Sequence, residues 1–245
     1  MATEYIVNHT DLTAVADAIR AKAELMGELE FPGGFIESIE NIVLVDDLSK
    51  YFEDNYTTVN LPNATKIKPY AFYVDKVITN ITMPNVTSIG ARAFDGCSAL
   101  AVTSLPAGLV SVEEYAFSGC SNLALTKLPS GITSIGDYGF FNCTKLALTE
   151  LPSEIANIGN SAFRYDYKLA LTTLPSGITS IGDNAFANCS ILTSITFMGR
   201  PTTISSTAFS SCSKLTTINV PWSEGQVAGA PWGATKATIN YNYTG

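Results

Sequence analysis

The chain has 245 residues but few charges and one histidine, His9. Charged residues make up 15% of the sequence, against about 25% in typical soluble domains, so Ser, Thr and Asn must cover much of the surface. A single histidine excludes most histidine-based metal sites and any relay of several histidines. No run approaches the roughly 18–20 apolar residues that a membrane-spanning helix needs. Apolar residues still make up 46% of the chain, so a large core can form.

The charge that is present lies unevenly along the chain. Residues 1–60 hold 12 acidic and 3 basic residues, whereas residues 61–245 hold 10 acidic and 11 basic ones, for a net charge of −8. The acidic part would repel a phosphate backbone, and the remainder has no basic stripe that would attract one. Glycine loops of the phosphate-binding kind are absent as well. We therefore expect no nucleic acid partner.

A repeat of 22 or 23 residues dominates the rest of the sequence. Each unit has a phenylalanine with Ile or Val five residues before it and Leu or Ile six residues after it. These repeat phenylalanines are Phe72, Phe94, Phe117, Phe140, Phe163, Phe186 and Phe209. A unit this short cannot bury its own apolar side chains, so successive units must stack into a solenoid with one continuous core.

Each unit is predicted to contain a short strand. Apolar residues nine and eleven positions after the repeat phenylalanine alternate with polar ones, as in residues 78–83 and 215–220. A proline usually follows and ends the strand, as Pro84 does, because it cannot donate to a ladder. Stacked units would form a parallel sheet with about 4.8 Å between strands. The Ile-Gly turn and the Ala-Phe segment then return the chain along the opposite side.

The repeated pattern Cys-x-x-Leu-x-x-Ile-x-Leu-Pro…Ile-Gly-x-x-Ala-Phe-x-x-Cys resembles the BspA-like family of bacterial leucine-rich repeats, from about residue 55 to residue 221. The resemblance implies a curved solenoid that serves as a protein-binding or adhesion surface, and it fixes no catalytic residue. We also expect no metal and no cofactor. The resemblance also implies a location facing the outside of a cell or a virion, although the first residues lack the basic start and apolar run of a secretion signal. We predict an α/β solenoid of about seven units over residues 46–221.

The two ends of the chain do not follow the repeat. Apolar residues in 12–23 follow helical spacing, which predicts a small helical cap within residues 1–45. Residues 12–22 and 31–35 also resemble N-terminal segments of phage and prophage tail-associated proteins of gut Firmicutes. The same segment could therefore attach the chain to a virion. Residues 222–245 are predicted to cap the other end, where Trp222 and Trp232 would close the core rather than stack on a sugar.

Five cysteines each lie three residues after a repeat phenylalanine, and Asp166 takes the one skipped place. They are Cys97, Cys120, Cys143, Cys189 and Cys212. This ladder has no Cys-x-x-Cys pair and no nearby histidine, which argues against a metal site or an activated nucleophile. Stacked neighbours could come within disulfide range, but an odd count leaves at least one thiol unpaired. We predict that the thiols form a buried column beside the phenylalanines.

The unit with Asp166 contains the first candidate contacts. Arg164, Tyr165 and Tyr167 stand where other units have small residues, and Tyr and Arg are favoured at binding hot spots. A locally repacked turn with solvated charges is the favoured explanation. Anchoring of a partner is the alternative, and it makes these three residues candidate ligand contacts.

The outward position of the predicted strand offers further candidates. Ten residues after each repeat phenylalanine lies a row of mostly short polar residues that includes Lys127, Glu150 and Thr173. Such a row suits weak recognition of a protein or a glycan, and it suits a merely soluble face as well. The prediction is a non-enzymatic protein- or glycan-binding module, with a structural virion component as the alternative.

Overall fold

The computed structural model describes residues 52–53 and 57–244, which form a parallel-strand solenoid of about eight turns. The rings of successive repeat phenylalanines stack with centroids 5.1–5.6 Å apart, so each coil lies directly on the one before it. We number coils 1–7 after the repeat phenylalanines in chain order, and coil 8 after Trp232.

Strands occupy two sides of the solenoid. The first side holds β3 (Lys66–Ile67), β5 (Ser88–Ile89), β6 (Ser111–Val112), β7 (Ser134–Ile135), β8 (Asn157–Ile158), β10 (Ser180–Ile181) and β12 (Thr203–Ile204). The second side holds β1 (Phe52–Glu53), β2 (Thr58–Asn60), β4 (Asn80–Thr82), β9 (Thr173–Leu174), β11 (Ser194–Phe197), β13 (Thr217–Asn219) and β14 (Thr238–Asn240). Paired strands are parallel and in register from coil to coil, except that β1 runs antiparallel to β2.

The α/β part of the prediction is not supported, because the described residues form strands and turns but no helix. The physical reason lies in the turn segment around each repeat phenylalanine, where most coils place two residues at positive φ. A right-handed helix cannot include such residues, so the chain forms consecutive turns instead. The predicted helical cap within residues 1–45 lies outside the described residues. In the part that the structure describes, nothing forms a helix able to cross a membrane.

The strand predicted after each repeat phenylalanine is absent from three central coils. There, and also in coil 5, the buried residue lies eight rather than nine positions after the phenylalanine, as for Leu125, Leu148 and Leu171. Two successive residues then face outward, which interrupts the alternation of a strand, and coil 5 keeps only the two-residue β9. Single backbone hydrogen bonds still join these coils, for example from the Ala147 N–H to the Leu125 carbonyl at 3.0 Å.

The core runs through the middle of all coils. All seven repeat phenylalanines are buried: Phe72, Phe94, Phe117, Phe140, Phe163, Phe186 and Phe209. At the C-terminal end, in coil 8, Trp232 takes the place of the repeat phenylalanine. It is fully buried and donates from Nε1 to the Ala228 carbonyl at 2.8 Å. Trp222 packs beside it with ring centroids 6.3 Å apart. Both tryptophans thus lie in the core, as residues that close an end would.

Cys97, Cys120, Cys143, Cys189 and Cys212 are buried free thiols. Each Sγ donates to the carbonyl of the repeat phenylalanine one coil earlier, at 2.8–3.1 Å. Burial raises the pKa of the Cys120, Cys143 and Cys189 thiols well above the usual value, and that of Cys212 to about 11. These four thiols therefore favour the protonated, unreactive form near neutral pH.

Candidate interaction surface

The turn segments form one edge of the solenoid, and the two positive-φ positions of each coil form columns along it. The first turn column lies two residues before the repeat phenylalanine: Tyr70, Arg92, Tyr115, Tyr138, Ser161, Asn184 and Thr207. The second turn column lies two residues after it: Val74, Gly96, Gly119, Asn142, Tyr165, Asn188 and Ser211. Positive φ, between 52° and 79°, occurs at all these residues except Thr207.

The residue types in these columns differ in how well they suit the backbone. Glycine and asparagine adopt positive φ readily, and they occupy the second turn column in coils 2, 3, 4 and 6. Bulky side chains adopt it at a cost, yet Tyr115, Tyr138 and Tyr165 have φ of 55°, 57° and 68°. Strained residues that the fold does not require cluster at functional sites, so these tyrosines mark a candidate site.

The tyrosines belong to a continuous strip that we call the aromatic ridge: Tyr115, Tyr138, Phe141, Tyr165 and Tyr167. Tyr115 and Tyr138 stack at 4.5 Å. From Tyr138 the ridge continues by edge contacts to Phe141 at 5.5 Å and on to Tyr165 at 5.6 Å. Tyr167 ends it, 6.3 Å from Tyr165 and 43% exposed. The ridge thus crosses coils 3, 4 and 5.

Two arginines flank the ridge. The guanidinium of Arg92 lies 3.9 Å from the ring centroid of Tyr115 and forms an ion pair with Asp95 at 2.9 Å. That of Arg164 lies 4.8 Å from the centroid of Tyr165 and donates from Nη2 to the Tyr165 hydroxyl at 3.0 Å. Partial desolvation and the neighbouring Tyr138 raise the pKa of Tyr115, so its phenol remains neutral. The ridge therefore presents hydroxyl groups, ring edges and cationic groups.

Asp166 supports the ridge from below. It is fully buried, and its Oδ1 accepts a hydrogen bond from the Cys143 N–H at 2.7 Å, while Oδ2 has no partner. Burial raises the pKa of this carboxyl well above the usual range, opposed by the bond from Cys143. The neutral acid is therefore favoured, because burial disfavours the ionised carboxylate.

The structure brings Arg164, Tyr165 and Tyr167 together at one end of the ridge, where Arg164 lies over the ring of Tyr165 and Tyr167 is 6.3 Å from it. Lys127, Glu150 and Thr173 lie apart from them on the second side of the solenoid, exposed to solvent. Lys127 and Glu150 form an ion pair at 3.0 Å. The two groups of candidate contacts therefore lie on different faces and cannot form one compact site.

Sequence reasoning missed Tyr115, Tyr138 and Phe141. The signal was available, because Tyr115 and Tyr138 are 23 residues apart and therefore stack in neighbouring coils. The aromatic strip follows the turn edge rather than the predicted strand. Within residues 57–244 no group of three His, Cys, Asp or Glu side chains is arranged to hold a metal ion.

Comparison with known proteins agrees with this geometry. A profile described as the BspA-type leucine-rich repeat region, in six copies, matches residues 49–170 and 157–227. The chain belongs to this family. BspA-type leucine-rich repeat proteins are generally interaction or adhesion modules. No curated protein shows significant similarity to the chain.

Solved structures of other leucine-rich repeat proteins resemble this BspA-type solenoid. The crystal structure of the T. pallidum protein TpLRR is 26% identical with a TM-score of 0.57, over 69% of this chain and 90% of that one. A leucine-rich repeat protein from Bacteroides ovatus is 22% identical with a TM-score of 0.44, over 76% of this chain and 60% of that one. The T. pallidum structure supports the repeat fold for most of the chain.

Proposed function

We propose that this chain is a non-enzymatic interaction module that binds a protein partner on the aromatic ridge. The observation that carries the proposal is a continuous run of aromatic side chains, of which Tyr115, Tyr138 and Tyr165 are held at backbone positions that favour glycine or asparagine. Tyrosine and arginine are the residue types most enriched at binding hot spots, and the ridge combines both across three coils. Family membership supports an interaction role in general.

A protein suits the ridge better than a glycan does. A sugar ring stacks on the open face of an aromatic ring, but Tyr115 and Tyr138 cover each other's faces at 4.5 Å. Arg92 and Arg164 lie over the rings of Tyr115 and Tyr165. What remains accessible is mainly ring edges and hydroxyl groups, which pack against and hydrogen-bond to protein side chains.

The test is a binding screen with a matched pair of tyrosine variants. The purified chain is screened against extracellular-matrix proteins and a glycan array, alongside Tyr138→Asn/Tyr165→Asn and the control Tyr243→Asn. Asparagine suits positive φ, so the ridge variant should keep its fold, and Tyr243 is an exposed tyrosine in coil 8. We expect a matrix protein to bind the wild type and the control but not the ridge variant. Binding that survives in the ridge variant, or binding to glycans alone, would overturn the proposal.

The alternative function, a phage or prophage virion component attached through residues 1–45, stays a prediction. The residues on which it depends lie outside the described part of the chain. The predicted attachment and the ridge concern different parts of the molecule, so one role does not preclude the other.

A further inference from the structure

The two flanks of the turn edge carry opposite charge. The positions four and five residues after the repeat phenylalanine, here called the basic flank, hold four exposed lysines and no acidic residue over coils 1–7: Lys76, Lys145, Lys168 and Lys214. The positions three and four residues before it, here called the acidic flank, hold four acids and one lysine: Glu113, Glu114, Asp137, Asp183 and Lys68. The turn edge is therefore electrostatically asymmetric across its width.

The aromatic ridge runs from one flank to the other. Tyr115 and Tyr138 belong to the first turn column, beside the acidic flank. Phe141 and Tyr165 carry the ridge across the edge, and Tyr167 occupies a basic-flank position next to Lys168 in sequence. The more exposed end of the ridge thus lies among the lysines.

The cations at this end lack carboxylate partners. Arg92, at the other end, is matched by Asp95 at 2.9 Å. In the described part of the chain Lys145, Arg164 and Lys168 form no ion pair. The nearest acid in sequence, Asp166, is fully buried beneath the ridge and accepts its hydrogen bond from the backbone. The surface around Tyr165 and Tyr167 therefore has unmatched positive charge beside exposed aromatic groups.

From this arrangement we propose that the ridge binds an acidic protein segment, one that carries Asp or Glu beside aromatic or other apolar side chains. This inference rests on the proposed function and names its partner's chemistry. The apolar side chains of the segment pack on the edges of Phe141, Tyr165 and Tyr167, while its carboxylates face Lys145 and Lys168. Charge complementarity of this kind speeds association and excludes basic partners.

A synthetic acidic polymer tests the proposal without a known partner. The probe is a random copolymer of glutamate and tyrosine, compared with polyglutamate, with a lysine–tyrosine copolymer and with heparin, at low and high salt. The full chain is compared with Lys145→Glu/Lys168→Glu and with the control Arg200→Glu/Lys236→Glu, which changes the charge equally at exposed positions elsewhere. Circular dichroism verifies that each variant is folded.

We expect the glutamate–tyrosine copolymer to bind the full chain more tightly than the other probes do, and its affinity should fall at high salt. The affinity of Lys145→Glu/Lys168→Glu for this copolymer should be lower by a factor of about ten or more, whereas that of the control variant should be unchanged. Equal loss in the control, absence of binding, or preferred binding of heparin would overturn the proposal. The Tyr138→Asn/Tyr165→Asn variant separates the two hypotheses. If Tyr138→Asn/Tyr165→Asn loses binding of a matrix protein but Lys145→Glu/Lys168→Glu keeps it, the ridge is supported as the binding surface and the acidic partner is ruled out. If binding of the copolymer depends on the lysines but not on the tyrosines, the ridge is ruled out as the binding surface.

Discussion

Coils 3–5 and coils 6–7 share one backbone but present different turn edges. Tyr115, Tyr138 and Tyr165 stand in the former where the latter have Asn184, Asn188 and other small polar residues. The values of φ are alike, 57° at Tyr138 and 56° at Asn184, so the fold does not require the larger side chain. By contrast, the buried phenylalanine is the same in coils 1–7. The buried residues that repeat in every coil maintain the solenoid, whereas the turn-edge residues that differ between coils are the candidates for binding.

The largest effect on stability is expected from two phenylalanines that are adjacent in sequence, one in the buried interior and one on the turn edge. Phe140 is buried in the stack, whereas Phe141 is half-buried on the ridge. Phe140→Ala should lower the free energy of unfolding by about 3–5 kcal/mol, because it leaves a cavity in the core. Phe141→Ala should cost about 1 kcal/mol, since it loses two edge contacts. Denaturant unfolding followed by circular dichroism measures both, and equal losses would erase the distinction between interior and ridge.

Asp166 breaks the interior repeat, and replacing it by the repeat residue should stabilise the chain. Asp166→Cys restores the thiol column and removes an unpartnered buried oxygen, which should raise the free energy of unfolding by about 1–3 kcal/mol at neutral pH. The folded-state pKa is raised, so the wild type binds more protons when folded. Its stability should therefore fall as the pH rises from about 4 through that folded-state pKa.

Unfolding measured from pH 4 to about pH 7.5, below the range in which free thiols ionise, tests the assignment. Asp166→Cys should lack the fall in stability that the wild type shows over this range. The reverse exchange in coil 6, Cys189→Asp, should introduce a similar fall and lower the free energy of unfolding. A wild type whose stability is independent of pH in this window would show that Asp166 does not titrate as proposed.

Much of the solenoid could be predicted from the sequence because its interior repeats. The spacing of the phenylalanines requires stacked coils, and the cysteine spacing places the thiols in one column. The secondary structure inside each coil was harder. A one-residue shift of a buried leucine, as at Leu125 or Leu171, removes or shortens a strand, and positive φ at Tyr138 excludes a helix. Such backbone angles follow from how coils stack, which the pattern of one coil does not contain.

The candidate site was only partly predictable for a related reason. Arg164, Tyr165 and Tyr167 are adjacent in sequence and could be grouped at once. Tyr115 and Tyr138 join them only through stacking across coils, and Phe141 only through the geometry of the turn. Grouping by sequence neighbourhood finds sites within one coil, whereas this surface extends along the axis.

A pair of exchanges within the second turn column sharpens the comparison of coils 5 and 6. Tyr165→Asn relieves strain at a φ of 68° but loses the contacts with Phe141 and Arg164, so the free energy of unfolding should change by less than about 1 kcal/mol. Asn188→Tyr introduces the strain without those contacts and should cost about 1–2 kcal/mol. Thermal unfolding of both variants measures these changes in stability. A large loss in Tyr165→Asn would mean that the tyrosine serves the fold rather than binding.

The smallest effect is expected on the second side of the solenoid, where the ion pair of Lys127 and Glu150 offers a contrast to the ridge. The two side chains are 73% and 60% exposed, so solvent screens their attraction. A double-mutant cycle with Lys127→Ala and Glu150→Ala should give a coupling below about 0.5 kcal/mol. Neither change should affect binding of the glutamate–tyrosine copolymer, whereas Lys145→Ala, an equal loss of charge in coil 4, should weaken it. If Lys127→Ala weakens binding as much as Lys145→Ala does, the contact surface extends to the second side and the ridge alone does not define it.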